Sequence, residues 1–279
     1  MAENPLAKHF RQPAIYIKLP SGGKFWPEGT LNMPLNRELP IFPMTARDEI
    51  TIKTPDALLN GSSVVNVIQS CCPNISDAWQ MPSVDIDALL IAIRIASYGQ
   101  NLPIETDCPE CKEHNRHEVD LSELLDNQTN VNFDNPLIVD ELTFKLRPQP
   151  YFKANQTNQI TFEQNQAINL INDPNVDEDA KKIMFDKHVQ KIVEISMSSL
   201  AASTESITMN DGEVVNDPEF IREYYTNTNA RTIRTVQKHL TDITAELAIK
   251  PFQLKCGGCE KSYSTEFTFD YANFFDSGF

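Results

Sequence analysis

The spacing of hydrophobic and polar positions changes along the chain, and each change predicts a different kind of element. In the last part of the sequence, Thr265, Phe267 and Phe269 occupy every second position, which is typical of a strand with one apolar face. Further strand-like segments are predicted at 102–106, 116–121 and 252–255. The pattern therefore predicts two strand–turn–strand units, one within residues 101–122 and one within residues 250–279.

Residues 55–100 have the pattern of a helical core segment. The helix predicted from about Ser83 is apolar on nearly all sides, which is typical of a helix buried by its neighbours. Gly99 is a suitable C-terminal stop for it. Arg94 is the exceptional charge on this helix, and we expect it either to extend its head to solvent or to pair with an acidic neighbour.

Residues 123–249 are predicted to form a mostly helical insertion. Val189, Ile192 and Val193 lie on one face of a predicted helix that follows Asp177. Near residues 207–215, two short apolar runs flank the turn sequence Asn-Asp-Gly, which indicates a β-hairpin.

Residues 1–54 are predicted to form an extended or β-rich N-terminal arm. Eight of the 18 prolines lie within the first 60 residues, and proline disfavours long helices because it lacks an N–H donor. Two alternatives stay open from the sequence. The arm packs on its own domain, or it docks on a neighbouring subunit.

Two short cysteine pairs lie at the turns of the two strand–turn–strand units. Cys108 and Cys111 form the first pair, and Cys256 and Cys259 form the second. Two such pairs supply the four thiolates of a closed tetrahedral zinc site. We therefore predict an α+β fold, in which a four-cysteine zinc-ribbon-like β element with structural Zn²⁺ carries the long insertion 123–249 and the proline-rich arm.

Other uses of these cysteines are possible from the sequence. A thiol–disulfide redox pair is one, although such pairs normally lie where a strand leads into a helix. A local site that adds His114 and His117 to the first pair is another, but we expect these histidines to be polar hairpin residues. Cys71 and Cys72 are adjacent, and we expect them to be buried as small apolar side chains.

Composition and charge count against several classes of function. The 279 residues carry a net charge of −15, which argues against nucleic-acid binding because proteins that bind nucleic acids need Lys and Arg to contact the phosphates. No apolar run approaches the length of a membrane helix, and the first residues do not resemble a signal peptide. The sequence has no Gly-x-Ser-x-Gly turn, no Walker spacing and no His-Glu-x-x-His motif. We therefore expect neither catalysis nor a small-molecule substrate.

Aromatic residues in the arm and in the last part of the sequence are candidate contacts with partners. An exposed aromatic tail would be prone to association, so it is expected to fold back on the ribbon or to insert into a partner. The candidate partner-binding residues are Phe25, Trp26, Tyr271, Phe274, Phe275 and Phe279.

Several short motifs, in their order along the chain, resemble a family of tailed-phage proteins. They are Leu-Pro-Ser-Gly-Gly-Lys-Phe-Trp-Pro at 19–27, Met-Thr-Ala-Arg-Asp-Glu at 44–49, Asp-Ala-Leu-Leu-Ile-Ala-Ile-Arg at 87–94 and Ser-Tyr-Gly at 97–99. The first cysteine pair and Phe274-Phe275 follow in the same order. The chain is similar to the T4-type baseplate hub subunits and hub-assembly proteins of contractile tails, with the match densest at about 15–121 and from 250 onward.

The resemblance implies a non-enzymatic structural or assembly protein that contacts other baseplate and tail proteins. It implies a location in the virion tail baseplate, or in the host cytoplasm during assembly. It transfers no catalytic residues. A nucleic-acid-binding zinc ribbon, suggested by a few basic residues near the cysteines, and a thiol–disulfide redox protein are the alternatives that the sequence leaves open.

Overall fold

The computed structural model describes residues 4–54, 61–127, 131–171, 177–265 and 274–275. The fold is α+β, as predicted, and the four cysteines of the two pairs lie together. Among the described residues, no helix is both long and apolar enough to cross a lipid bilayer.

The N-terminal part builds the first hydrophobic core. Its two strands, β1 (Ile15–Ile17) and β2 (Leu39–Ile41), pair antiparallel, and three helices follow. These are α1 (Ala46–Ile52), α2 (Ser62–Cys71) and α3 (Ile86–Tyr98). Four residues of the N-terminal arm are buried in this core: Ile17, Leu19, Leu39 and Ile41. The arm therefore packs against its own chain.

Helix α3 is the centre of the first core. All of its residues from Ala88 to Arg94 are buried, in agreement with an apolar pattern that covers nearly the whole helix surface. Gly99 ends the helix with a φ of 86°, a left-handed value that glycine adopts without a Cβ clash. The C-terminal residues Phe274 and Phe275 are buried in this same core.

Each cysteine pair lies at the turn of its own β-hairpin. Strands β3 (Asn101–Asp107) and β4 (His114–Asp120) form one two-stranded antiparallel sheet, and a short helix, α4 (Leu121–Asp126), follows β4. Strands β9 (Phe252–Lys255) and β10 (Ser262–Thr265) form another. The sequence pattern continues the last strand to residue 269, but residues 266–273 lie outside the described part.

The segment between the hairpins has a second hydrophobic core and a sheet of its own. Its four antiparallel strands pair in the order β5–β6–β7–β8, with the bounds Leu137–Val139, Leu142–Leu146, Thr204–Thr208 and Val214–Val215. Its helices are α5 (Tyr151–Ile171), α6 (Glu178–Ala202), α7 (Pro218–Asn227) and α8 (Ala230–Thr244). The apolar runs around Asn210-Asp211-Gly212 become the strands β7 and β8. The sheet is larger than one hairpin, because β5 and β6 extend it.

Candidate metal centre

The four cysteines of the two hairpin turns meet at one point. Their sulfur atoms all lie within 4.8 Å of one another. The Sγ atoms of Cys108 and Cys259 are 3.8 Å apart, and those of Cys111 and Cys256 are 3.6 Å apart. Both of these contacts join one turn to the other.

The first turn is closed by its own backbone. The N–H of Cys108 donates to the carbonyl of Glu113 at 2.9 Å, and the N–H of Lys112 donates to the carbonyl of Cys108 at 3.0 Å. Lys112 has a φ of 62°, so the chain reverses through a left-handed residue directly after Cys111. This reversal brings both sulfur atoms of the pair to the same side of the turn.

The second turn repeats this geometry. The N–H of Cys256 donates to the carbonyl of Lys261 at 2.9 Å, and the N–H of Glu260 donates to the carbonyl of Cys256 at 3.1 Å. Glu260 has a φ of 58°, at the position equivalent to Lys112. The two turns are thus local copies of one another, although their sequences share little besides the cysteines.

Asn115 connects the two turns, and no feature of the sequence pattern marks it. Its Oδ1 accepts from the N–H of Gly257 at 2.7 Å, and its Nδ2 donates to the carbonyl of Glu113 at 2.8 Å. The same Nδ2 lies 3.6 Å from the Sγ of Cys256. One buried side chain on β4 therefore fixes the second turn against the first.

Cys256 is surrounded by hydrogen-bond donors. The backbone N–H groups of Cys259 and Gly258 point at its sulfur from 3.5 Å and 3.4 Å. These donors, together with Cys111 and Asn115, stabilise the thiolate and lower the pKa of Cys256 to about 6. A sulfur held in this way is suited to bind a metal as the thiolate.

The contact between the hairpins continues beyond the cysteines. The hydroxyl of Tyr263 on β10 lies 2.6 Å from the Oγ1 of Thr106 and 3.1 Å from the Nε2 of His117. Across the turns, Lys261 pairs with Glu110 at 2.9 Å between Nζ and Oε2. This last pair is exposed, so its contribution to stability is small.

The sulfur positions fit a four-thiolate metal ion. A tetrahedral zinc with Zn–S bonds of about 2.3 Å places its sulfur atoms about 3.8 Å apart. The Cys111–Cys256 and Cys108–Cys259 distances, 3.6 Å and 3.8 Å, agree with this value. They exceed the disulfide bond length of about 2.05 Å by far, and all four cysteines are free thiols. The four residues could therefore hold one metal ion between them.

The other metal-ligand candidates lie apart from this cluster. The Nδ1 of His114 contacts Asp107 at 3.0 Å on the exposed side of the hairpin, and His117 contacts Tyr263. Among the described residues, neither histidine belongs to a group that could hold a metal. Cys71 and Cys72 are fully buried in the first core, where desolvation raises the pKa of each thiol, to about 12 and about 11 respectively.

The candidate partner-binding residues occupy several positions. Phe25 packs edge-on against Phe133 in the second core, with 5.5 Å between ring centroids, and Trp26 packs against the first core. Both are half-buried. Phe274 and Phe275 are 4% and 0% exposed, so their side chains are used inside the chain. Tyr271 and Phe279 lie outside the described residues.

Arg94 anchors the Phe274-Phe275 segment to helix α3. Its Nε donates to the carbonyl of Phe274 at 3.1 Å, and its guanidinium lies 4.5 Å from the ring centroid of Tyr98. The prediction that it extends to solvent is wrong because the residue is only 3% exposed. Among the described residues, Arg94 contacts the Phe274 carbonyl and the Tyr98 ring, and not the acidic side chain that the sequence suggests.

Comparison with known proteins gives a family. A family model described as T4 bacteriophage base plate protein matches residues 13–276. Neither a curated protein nor a solved structure matches the chain. The family match covers most of the sequence, including both cysteine pairs, and confirms the resemblance to T4-type baseplate proteins.

Proposed function

Because the chain belongs to the T4 bacteriophage base plate protein family, we propose that it is a non-enzymatic structural or assembly component of the baseplate hub. Family membership implies a location in the virion tail and contacts with other phage tail proteins. The observation that carries the proposal is the match over residues 13–276, because it includes both cores and both hairpins. The hub position rests on the order of the short motifs between residues 19 and 99.

The four cysteines have a structural role in this proposal. They would hold one Zn²⁺, which pins the ends of the segment between Cys111 and Cys256 to each other. A bound zinc ion with four thiolate ligands would hold the two turns together and would leave no open coordination position for a substrate. Asn115 orients the second turn, and the hydroxyl of Tyr263 joins β10 to Thr106 on β3.

The local charges support a protein-binding role over a nucleic-acid-binding one. Of the basic residues near the cysteines, Lys261 pairs with Glu110 and Lys255 pairs with Glu260. These carboxylates reduce the local positive charge, and the chain as a whole carries a net charge of −15. A thiol–disulfide role has less support, because each cysteine pair lies between two strands and not at the start of a helix.

Metal analysis tests the zinc part of the proposal. Protein purified without chelators should contain about one zinc per chain, and Cys108→Ser protein should contain much less. Cys72→Ser is the matched control, because it also removes a buried thiol but leaves the cluster complete. Wild-type protein with no bound metal after growth in zinc-supplemented medium would contradict the structural zinc.

Mass spectrometry of mature virions tests the baseplate part. A hub subunit should be present in a fixed ratio to the other baseplate proteins, whereas an assembly factor should be present in infected cells and absent from purified particles. A tail-sheath protein serves as the internal standard. Absence from both virions and baseplate assembly intermediates would contradict either form of the proposal.

A further inference from the structure

A groove beside the metal centre has no role in the zinc site. It encloses about 770 Å³ between two walls. Strand β4 and helix α4 form one wall, with lining residues between Glu118 and Asn127. Residues 248–254, which lead into and form most of β9, make the other wall, together with Ala245.

Strand β9 has one edge that pairs with no other described strand, and its residues line this groove. Within the described part of the chain, β9 pairs with β10 alone. The N–H of Cys256 bonds to the carbonyl of Lys261, and bonded pairs alternate along an antiparallel ladder. Gln253, opposite Ser264, is therefore in a non-bonded pair, with its N–H and C=O directed away from β10. Gln253 also lines the groove.

The opposite wall has a similar edge. Strand β4 pairs with β3 alone in the described residues. Glu118 is opposite Pro103, which has no N–H to donate, and the same alternation directs the backbone groups of Glu118 away from β3. Residues from the outer edges of two strands thus line the same groove.

The side chains that line the groove indicate the chemistry of a segment that would bind there. Its rim carries three carboxylates, from Glu118, Asp120 and Glu123, against one ammonium group, from Lys250. Asp120 also accepts from the N–H of Ser122 at 2.8 Å as the cap of α4, so it is fixed in place. The excess of negative charge favours a basic occupant.

The floor of the groove is apolar. Val119 and Leu124 are each 7% exposed, and Ile249, Phe252 and Leu254 are half-buried beside them. An extended segment directs alternate side chains to opposite sides. A segment that alternates basic and β-branched residues would satisfy both the rim and the floor.

We propose that a neighbouring protein inserts an extended basic segment into this groove and adds a strand to the outer edge of β9. The main chain of the segment bonds to Gln253, and its Lys or Arg side chains face Glu118 and Glu123. This inference deepens the proposed function by naming the kind of segment that a tail protein contributes. The walls of the groove belong to the two hairpins that the cysteine cluster joins, so the peptide is titrated into protein of measured metal content, and a failure of peptide binding can be told apart from an absence of zinc.

A peptide titration on the full-length chain tests the inference. The probe is a fluorescein-labelled peptide, Thr-Lys-Val-Arg-Val-Lys-Thr, followed by fluorescence anisotropy. Glu118→Lys/Glu123→Lys should weaken its binding at least about tenfold, because two attractive contacts become repulsive. The control variant, Glu213→Lys/Glu223→Lys, changes the net charge equally at exposed positions outside the groove and should bind as wild type does. Equal weakening by both variants would overturn the proposal.

Two N-methylated peptides separate strand addition from charge attraction alone. One is methylated at the odd amides and the other at the even amides. A strand on the edge of β9 uses alternate amides, so one peptide should lose binding and the other should keep it. If both bind as tightly as the parent peptide, the main chain is not used and the proposal is wrong. Circular dichroism and melting of each variant would establish that its fold is intact.

Discussion

The buried carboxylate of Asp85 stabilises the turn through which the chain passes from one core to the other. Asp85 is fully buried and accepts from the N–H of Ser21 at 2.8 Å, from its Oγ at 2.6 Å and from the Nε1 of Trp26 at 2.9 Å. Trp26 packs on the first core and Phe25 on the second, with Phe25 at a φ of 67°. The network of Asp85 therefore holds a strained turn that joins the cores.

The raised pKa of Asp85 should make the stability of the protein depend on pH. Burial raises its pKa from 3.8 to about 6, even though Ser21 and Trp26 oppose the rise. A carboxyl with a raised folded-state pKa contributes stability that is complete below the unfolded pKa and lost as the pH rises through about 6. Between pH 5 and pH 7.5 the wild type should lose about 1 kcal/mol relative to Asp85→Asn, measured by urea unfolding. A constant difference between the two proteins would contradict this.

Arg94 gives a second prediction at this scale. Among the described residues, its Nη1 is buried without a hydrogen-bond partner, and its stabilising contacts are the Phe274 carbonyl and the Tyr98 ring. Lysine keeps the charge but loses the planar stacking and the directed Nε. We expect Arg94→Lys to lower the free energy of unfolding by about 1–3 kcal/mol. Arg47→Lys, at an exposed position, should change it by less than about 0.5 kcal/mol.

At the scale of elements, the four-cysteine cluster is a contact between two hairpins that share no strand pairing among the described residues. Each has its own two-stranded sheet, and among the described residues no ladder joins them. The contact rests on the cysteine cluster, on Asn115 between the turns and on the hydroxyl of Tyr263. A metal ion would replace the missing ladder as the main link between the hairpins.

Asn115 should therefore tune metal affinity without being a ligand. Removing an outer-shell partner typically weakens metal binding 10- to 100-fold. We expect Asn115→Ala to weaken zinc binding by about this factor, measured by competition with a chromophoric chelator. His114→Ala is the control, because His114 lies on the same hairpin and points away from the cluster toward Asp107. Equal affinities for Asn115→Ala and wild type would show that the turn is fixed by other contacts.

The elements that sequence reasoning found are those whose signal is local. A Cys-x-x-Cys turn between strand-like segments is local, and so are the apolar surface of α3 and the Asn-Asp-Gly turn between β7 and β8. Strand β5 was not predicted because it has three residues, too few for a period to appear. The roles of Asn115 and Asp85 depend on partners far away in the sequence, Gly257 and Ser21, which no spacing rule connects.

At the scale of the whole molecule, the motifs that resemble the phage family contact one another. The N–H of Met44 donates to the Oγ of Ser97 at 2.9 Å, and the hydroxyl of Tyr98 donates to Glu49 at 3.0 Å. Arg94 in turn lies over the ring of Tyr98. Motifs that are about 50 residues apart thus form one framework around the ends of α1 and α3.

Metal removal should loosen the chain at one place while leaving both cores formed. The cores pack through Ile17, Leu90 and Phe275 in one and through Phe144, Tyr225 and Val236 in the other, and none of these residues belongs to the cluster that packs around Cys108 and Cys256. A metal that binds only the folded state adds its binding energy to stability. If this energy is at least about 2 kcal/mol, chelation should lower Tm by roughly 5 °C in a chain of this size.

Two measurements separate this effect from general unfolding. Below the transition, far-UV circular dichroism should stay nearly constant on chelation, and hydrogen exchange should increase at 101–120 and 252–265 far more than in α3. Cys256→Ser should already have the low Tm and no longer respond to the chelator. Cys71→Ala should lose stability through its core cavity yet keep the full response, since its thiol lies outside the cluster. A uniform increase of exchange across both cores would instead mean that the metal is required for the whole fold.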